Sequence, residues 1–185
     1  MTVYTDDPQF ATTFLPSEVA AGFVSPPISD SATDGRNSKD FRPRSGPENP
    51  DPAVGSLLAR VFPGRQLLHS AGPSDLPWST LLLSESSDGS QYDLLIDLAR
   101  GTDPLPDHLA CLAGSGSGFH GFKGRAWASP PGNIYLAAHF TPDMEIPRFE
   151  VAFTILATLS VVDALDHIAG LEGAAQIKWV NDILL

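Results

Sequence analysis

Residues 108–140 read HLACLAGSGSGFHGFKGRAWASPPGNIYLAAHF, and their pattern sets the fold class for everything around them. The run 108–113 is short and apolar, as a buried strand is. Residues 134–140 read as a second strand, after a turn at Pro130-Pro131-Gly132-Asn133. Between the strands stand Gly114, Gly116, Gly118, Gly121 and Gly124, with Lys123 and Arg125. Glycine tolerates positive φ and lets backbone approach a ligand closely. Successive exposed N–H groups can form an anion-binding concavity, and the two cations would add charge there. Two readings follow: a loop that wraps a phosphate-bearing small molecule, or a flexible loop with no ligand. Glycine content alone does not separate them.

Upstream, 80–85 reads as a strand. Asp88-Gly89 is a turn signal, with Asp88 or Ser90 available as a helix N-cap. Tyr92, Leu95, Leu98 and Ala99 repeat at helical spacing, which predicts a helix over 92–100 that ends at Gly101. Downstream, 149–170 is the clearest helix. Ile155, Leu159, Val162, Leu165 and Ala169 mark one face, while Thr154, Thr158, Asp163 and Asp166 supply polar positions. Residues 175–179 read as a strand that continues through 183–185. This order predicts an α/β (α+β) domain over 67–185: a mixed sheet with helices packed on one face. Residues 1–66 read as an extension, largely irregular. It has a short element within 12–24, a Pro/Ser/Asp-rich linker over 25–52 and a short helix over 53–62 stopped by Pro63-Gly64.

Of the 185 residues, 42% are hydrophobic, enough for a core in one domain. The formal net charge of −11 argues against a nucleic-acid surface or a basic membrane patch. The single cysteine, Cys111, lies in an apolar run and reads as a buried inert thiol in a reducing compartment. Residues 1–10 read as neither a signal nor a transit peptide, and no apolar run is long enough to span a bilayer. The expected location is cytoplasmic. No metalloprotease, Walker A or Rossmann fingerprint occurs, and His139 and His167 lack neighbours at ligand spacing.

Two segments carry a family resemblance. Residues 124–135, G-R-x-W-x-S-P-x-G-N-x-Y, resemble the biotin-binding loop and following strand of biotin protein ligases. Residues 178–185, KWVNDILL, resemble that family's K-W-P-N-D-I motif, with Val180 in place of proline. They come in the family's order, and the likeness covers roughly 79–185. It implies a class II synthetase-like biotin/lipoate ligase catalytic domain. The implied function is ATP-dependent: biotin and ATP give biotinyl-5'-AMP and pyrophosphate, and biotin then passes to a lysine of a biotin carboxyl carrier domain with release of AMP. ATP, biotin and Mg²⁺ are the implied ligands. A homodimer is compatible with the likeness, and neither nucleic acid nor membrane is expected as a partner. Members that also bind DNA carry a helix-turn-helix, and no such helix pair is legible here.

The resemblance also assigns residues. Arg125 and Lys178 become catalytic cations, since a guanidinium grips phosphate oxygens in a fork. Gly121 and Gly124 present N–H groups to ligand. Trp127 either stacks on adenine or packs in the core. Asn181 helps place the nucleotide, and Asp182 offers Mg²⁺ an oxygen ligand. Asp88, Gly89 and Ser90 fall at the family's S-T-N. Several positions depart from the family. Gly116 stands where a biotin-bonding glutamine is usual, while His120 and Phe122 take the first two arginine positions. The family's next lysine and its G-I-L strand pair would fall beyond Leu185, so the domain is expected to be incomplete and its first half-reaction severely weakened. Two further readings remain open: a non-catalytic relative that binds biotin or nucleotide, and a lipoate- or octanoate-handling cousin.

Overall fold

Strands β3 (Thr80–Ser84) and β4 (Leu109–Ala113) are buried at every position. A strand sealed on both sides needs a layer on each face of its sheet. The computed structural model, which describes residues 1–23, 52–72, 75–101 and 104–185, shows both layers. The chain divides into two units, Met1–Thr141 and Pro142–Leu185.

In the first unit a five-stranded sheet runs β2-β1-β3-β4-β5. Here β1 is Thr2–Thr5, β2 is Leu68–Ala71 and β5 is Tyr135–His139. Strands β1, β3 and β4 are mutually parallel, and β2 and β5 are antiparallel edges. Side chains alternate between the faces with period two. Leu82, Leu109, Cys111 and Ala137 pack under α3 (Pro52–Val61) and α4 (Gln91–Ala99). Val3, Leu81, Leu83, Ala110 and Leu112 pack under α1 (Pro8–Thr12) and α2 (Ser17–Ala20). Burying a leucine such as Leu82 or Leu83 is worth about 1.5–3 kcal/mol, so both layers matter to stability.

This corrects the expectation of helices on one face: α1 and α2 cover the other. They are only five and four residues long, too short to show a helical period. Asp7 caps α1 by accepting from the Gln9 and Phe10 amides at 2.7 and 3.0 Å. Much of the expected irregular extension is likewise part of the sheet. Residues 2–5 form β1, inserted between β2 and β3, and the helix expected over 53–62 is α3. Such parallel pairing is non-local and leaves little trace in four residues. The linker expected at 25–52 lies, up to residue 51, outside the described residues.

The second unit contains α5 (Phe149–Asp166) and a hairpin of β6 (Gln176–Lys178) and β7 (Asp182–Leu184). Residues 183–185 therefore do not continue the preceding strand. The chain reverses at 179–181 and pairs Lys178 with Asp182. Buried Thr158 of α5 donates to the Thr154 carbonyl at 3.1 Å and lies 3.4 Å from the Val180 carbonyl. Among the described residues, no helix is long and apolar enough to cross a membrane.

Candidate functional site

The carboxyl ends of three parallel strands gather the loops that follow β1, β3 and β4. Open α/β sheets place ligands at such ends. Parallel pairing of β3 and β4 carries on into their loops. Gly114 N–H donates to Ser84 at 3.0 Å, Ser87 N–H to Ser115 at 3.0 Å and Ser117 N–H to Ser87 at 3.0 Å. The Ser115 hydroxyl donates to the Glu85 carbonyl at 3.1 Å. The turn at 85–90 and the glycine-rich loop are thus laced side by side.

An arginine that the sequence reading did not single out fixes this turn from below. Arg65 donates to Asp6 and to the Ser86 carbonyl, and it pairs with Asp88 at 3.4 Å. Asp6 also accepts from the Glu85 amide at 3.0 Å. Its bond to Asp6, first of all, raises the Arg65 pKa further, so this cation is permanent. A lone arginine after a Pro-Gly stop gives no sequence signal of this role, because its partners lie 59 and 23 positions away.

The glycine-rich loop is not slack. Residues 119–127 form a small hairpin: Trp127 N–H donates to Phe119 at 2.9 Å, and Gly121 N–H to Arg125 at 2.8 Å. A 3₁₀ turn, Phe122–Gly124, makes its tip, with Lys123 at φ 62° and Gly124 at φ 69°. Phe119 anchors the base. It is buried and lies 4.9 Å, ring centre to ring centre, from Tyr135. Lys123 and Arg125 are both exposed at the tip.

The expected site residues divide by environment. Gly116 is there for close packing: a Cβ would sit 2.7 Å from the Ser87 carbonyl oxygen and 2.8 Å from the Phe119 ring. At Gly121 a Cβ would meet the Trp127 indole at 2.7 Å. Trp127 is 60% exposed, so of its two readings the core one is excluded. The Asp88 carboxylate faces Arg65, and the Gly89 carbonyl accepts from the Ser87 hydroxyl at 2.7 Å. The Ser90 hydroxyl caps α4 by accepting from the Asp93 amide at 3.2 Å. His120 does not stand free as a surrogate arginine. Its Nε2 is 2.6 Å from Asp93, and that bond, then one to the Gly121 carbonyl, raises its pKa. In the second unit Lys178 donates to Asp182 at 3.3 Å, and Asn181 is exposed in the intervening turn.

Other sequence expectations meet their surroundings plainly. Cys111 is fully buried, and burial pushes its pKa up to about 12. His139 bonds the Pro106 carbonyl at 3.0 Å and His167 the Asp163 carbonyl at 2.7 Å, both structural pairings. Among the described residues, no group of three or more His, Cys, Asp or Glu side chains is placed to hold a metal ion. No protein-family model matches this chain, and no curated protein matches it either.

Proposed function

We propose that this chain is an ATP-dependent biotin ligase of the carboxyl-carrier type, acting in the cytoplasm. One observation supports the reading above the others. The turn that carries Asp88–Gly89–Ser90 is laced to the 114–127 loop at the carboxyl ends of parallel strands, through Ser87, which bonds Ser115 and Ser117, and through the Asp88 carbonyl, which accepts from the Ser117 hydroxyl at 3.4 Å. The family resemblance gives both stretches ligand contacts.

In this reading Arg125, exposed at the hairpin tip beside Lys123, grips phosphate oxygens of ATP. Charge placed there in advance stabilises the displacement that joins the biotin carboxylate to the nucleotide. The Gly121 and Gly124 amides are not available to it, since they donate within the hairpin to the Arg125 and Gly121 carbonyls at 2.8 and 3.1 Å, while exposed Trp127 offers a face for adenine. Within the second unit, Lys178, Asn181 and Asp182 lie together on one hairpin. Asp182 and Asn181 are two adjacent oxygen-bearing side chains, which suits a Mg²⁺ that takes its remaining ligands from phosphates and water. That ion would offset phosphate charge. Lys178 must release Asp182 for it, a short side-chain motion between exposed groups.

A specific observation favours a second reading, a non-catalytic biotin or nucleotide binder. Gly116 has no room for a side chain, and His120 is committed to Asp93. Two positions where the family grips ligand therefore offer none. Biotin-dependent exchange of pyrophosphate into ATP decides between the readings. Exchange that falls at least about tenfold in Arg125→Lys supports the ligase. Calorimetric binding of biotin or ATP without exchange supports the binder, and neither binding nor exchange overturns both.

A further inference from the structure

Gly121 is a glycine that its own backbone does not require. Its φ of −93° and ψ of −168° are extended values that any residue adopts. Its N–H donates to the Arg125 carbonyl at 2.8 Å, and its carbonyl accepts from the Gly124 N–H at 3.1 Å, so the hairpin itself takes up both groups. What excludes a side chain is Trp127. Beyond the chain neighbours, the three heavy atoms nearest a Cβ at position 121 all belong to the indole: Nε1 at 2.7 Å, Cε2 at 3.2 Å and Cζ2 at 3.3 Å.

The register of the hairpin makes this contact. Trp127 N–H bonds the Phe119 carbonyl and Gly121 N–H the Arg125 carbonyl, with the His120–Ala126 bridge between them. Trp127 and Gly121 are therefore diagonal neighbours across the two strands. The indole rests against the bare α-carbon of Gly121, yet most of the residue stays exposed. A ring seated in this way has less freedom to lose when a flat ligand meets it. Arg125 stands two positions before Trp127 on the same return strand, which gives the two side chains one face. A guanidinium and an indole so placed suit a ligand with phosphate at one end and a flat ring at the other.

We propose that Gly121 is the positioning residue of the nucleotide site: its missing side chain seats the Trp127 indole as the stacking surface for the purine ring. The inference rests on the nucleotide of the ligase reading. It adds that position 121 serves the base through the indole and not through its own amide.

The test is calorimetric titration of the full chain with ATP and with inorganic tripolyphosphate, in excess biotin and without Mg²⁺, so that no turnover occurs. Tripolyphosphate carries the phosphate charge without the base. Gly121→Ala should weaken ATP at least about fivefold and leave tripolyphosphate within about twofold. Trp127→Leu should weaken ATP at least about tenfold and likewise spare tripolyphosphate. The double variant should bind ATP no more weakly than Trp127→Leu, because both changes remove one contact. In ligand-free Gly121→Ala the Trp127 indole Nε1–H resonance should move while the urea midpoint holds, since an exposed ring can swing aside. Unchanged ATP affinity in either single variant, an equal loss of tripolyphosphate, or an unmoved indole resonance overturns the inference and leaves the ligase reading standing. Wild-type protein that binds neither probe overturns both.

Discussion

Replacing Arg65 by methionine tests whether one partly buried cation holds the loops after β1 and β3 together. The Asp6 side chain is 8% exposed and the Arg65 side chain 26%. Removing one partner from a buried ion pair costs about 3–5 kcal/mol, because the other charge is left without compensation. Asp6 would still accept from the Glu85 amide at 3.0 Å and sit 3.3 Å from the Ser84 hydroxyl. Those contacts place the cost at the lower end, about 3 kcal/mol. The pair with Asp88 adds little, since that carboxylate is 73% exposed. A loss of about 3 kcal/mol corresponds to a Tm about 6–12 °C lower. Urea melts followed by tryptophan fluorescence suit the measurement. Trp78 packs against a core in the same unit, whereas Trp127 and Trp179 are 60% and 73% exposed and change little on unfolding. Adding Asp6→Asn removes the stranded charge, so the double variant should recover about 1–3 kcal/mol relative to the sum of the single changes. A loss below about 1 kcal/mol in Arg65→Met, or strict additivity with Asp6→Asn, would refute the reasoning.

Other outcomes follow from single contacts. The His120 pKa is raised by Asp93, so the pair's stabilisation is complete below the ordinary histidine value and fades as pH rises through the raised one. An NMR titration should show His120 titrating above its unfolded value, and Asp93→Asn should return it toward that value; an unchanged midpoint in the variant sinks the assignment. Gly116→Ala drives a methyl against the Ser87 carbonyl and the Phe119 ring, and should cost about 1–3 kcal/mol in the same urea melt. Cys111, with its thiol pushed up to about 12, should resist a disulfide reagent in the native state and react at once in urea; rapid native labelling would show that the sheet opens there.

Local signals carried most of the element assignments. Asp88 or Ser90 was legible as the N-cap of α4, and Ser90 is the one that accepts from the Asp93 amide. The apolar runs at 80–85 and 108–113 were legible as strands because fully buried strands are continuously hydrophobic. The glycine-rich stretch was legible as a site for close backbone approach, and at Gly116 the approach is real, although the neighbour is Ser87 and not a ligand. Hydrophobic periodicity located α5 but could not show that the chain turns back at 179–181, since a hairpin and a continuing strand share the same alternation.

The amino-acid order alone settled β3, β4 and β5 as strands and α3, α4 and α5 as helices, where the glycines and cations cluster, and that Cys111 is sealed in hydrocarbon. Those properties depend on neighbours within a few residues. Which strands pair, that helices cover both faces, that Arg65 serves Asp6 and Asp88, and that His120 is taken by Asp93 were decided only by the tertiary structure. The Arg65 and His120 pairs join groups 23 or more positions apart, and no local pattern encodes a contact that exists only once the chain has closed on itself.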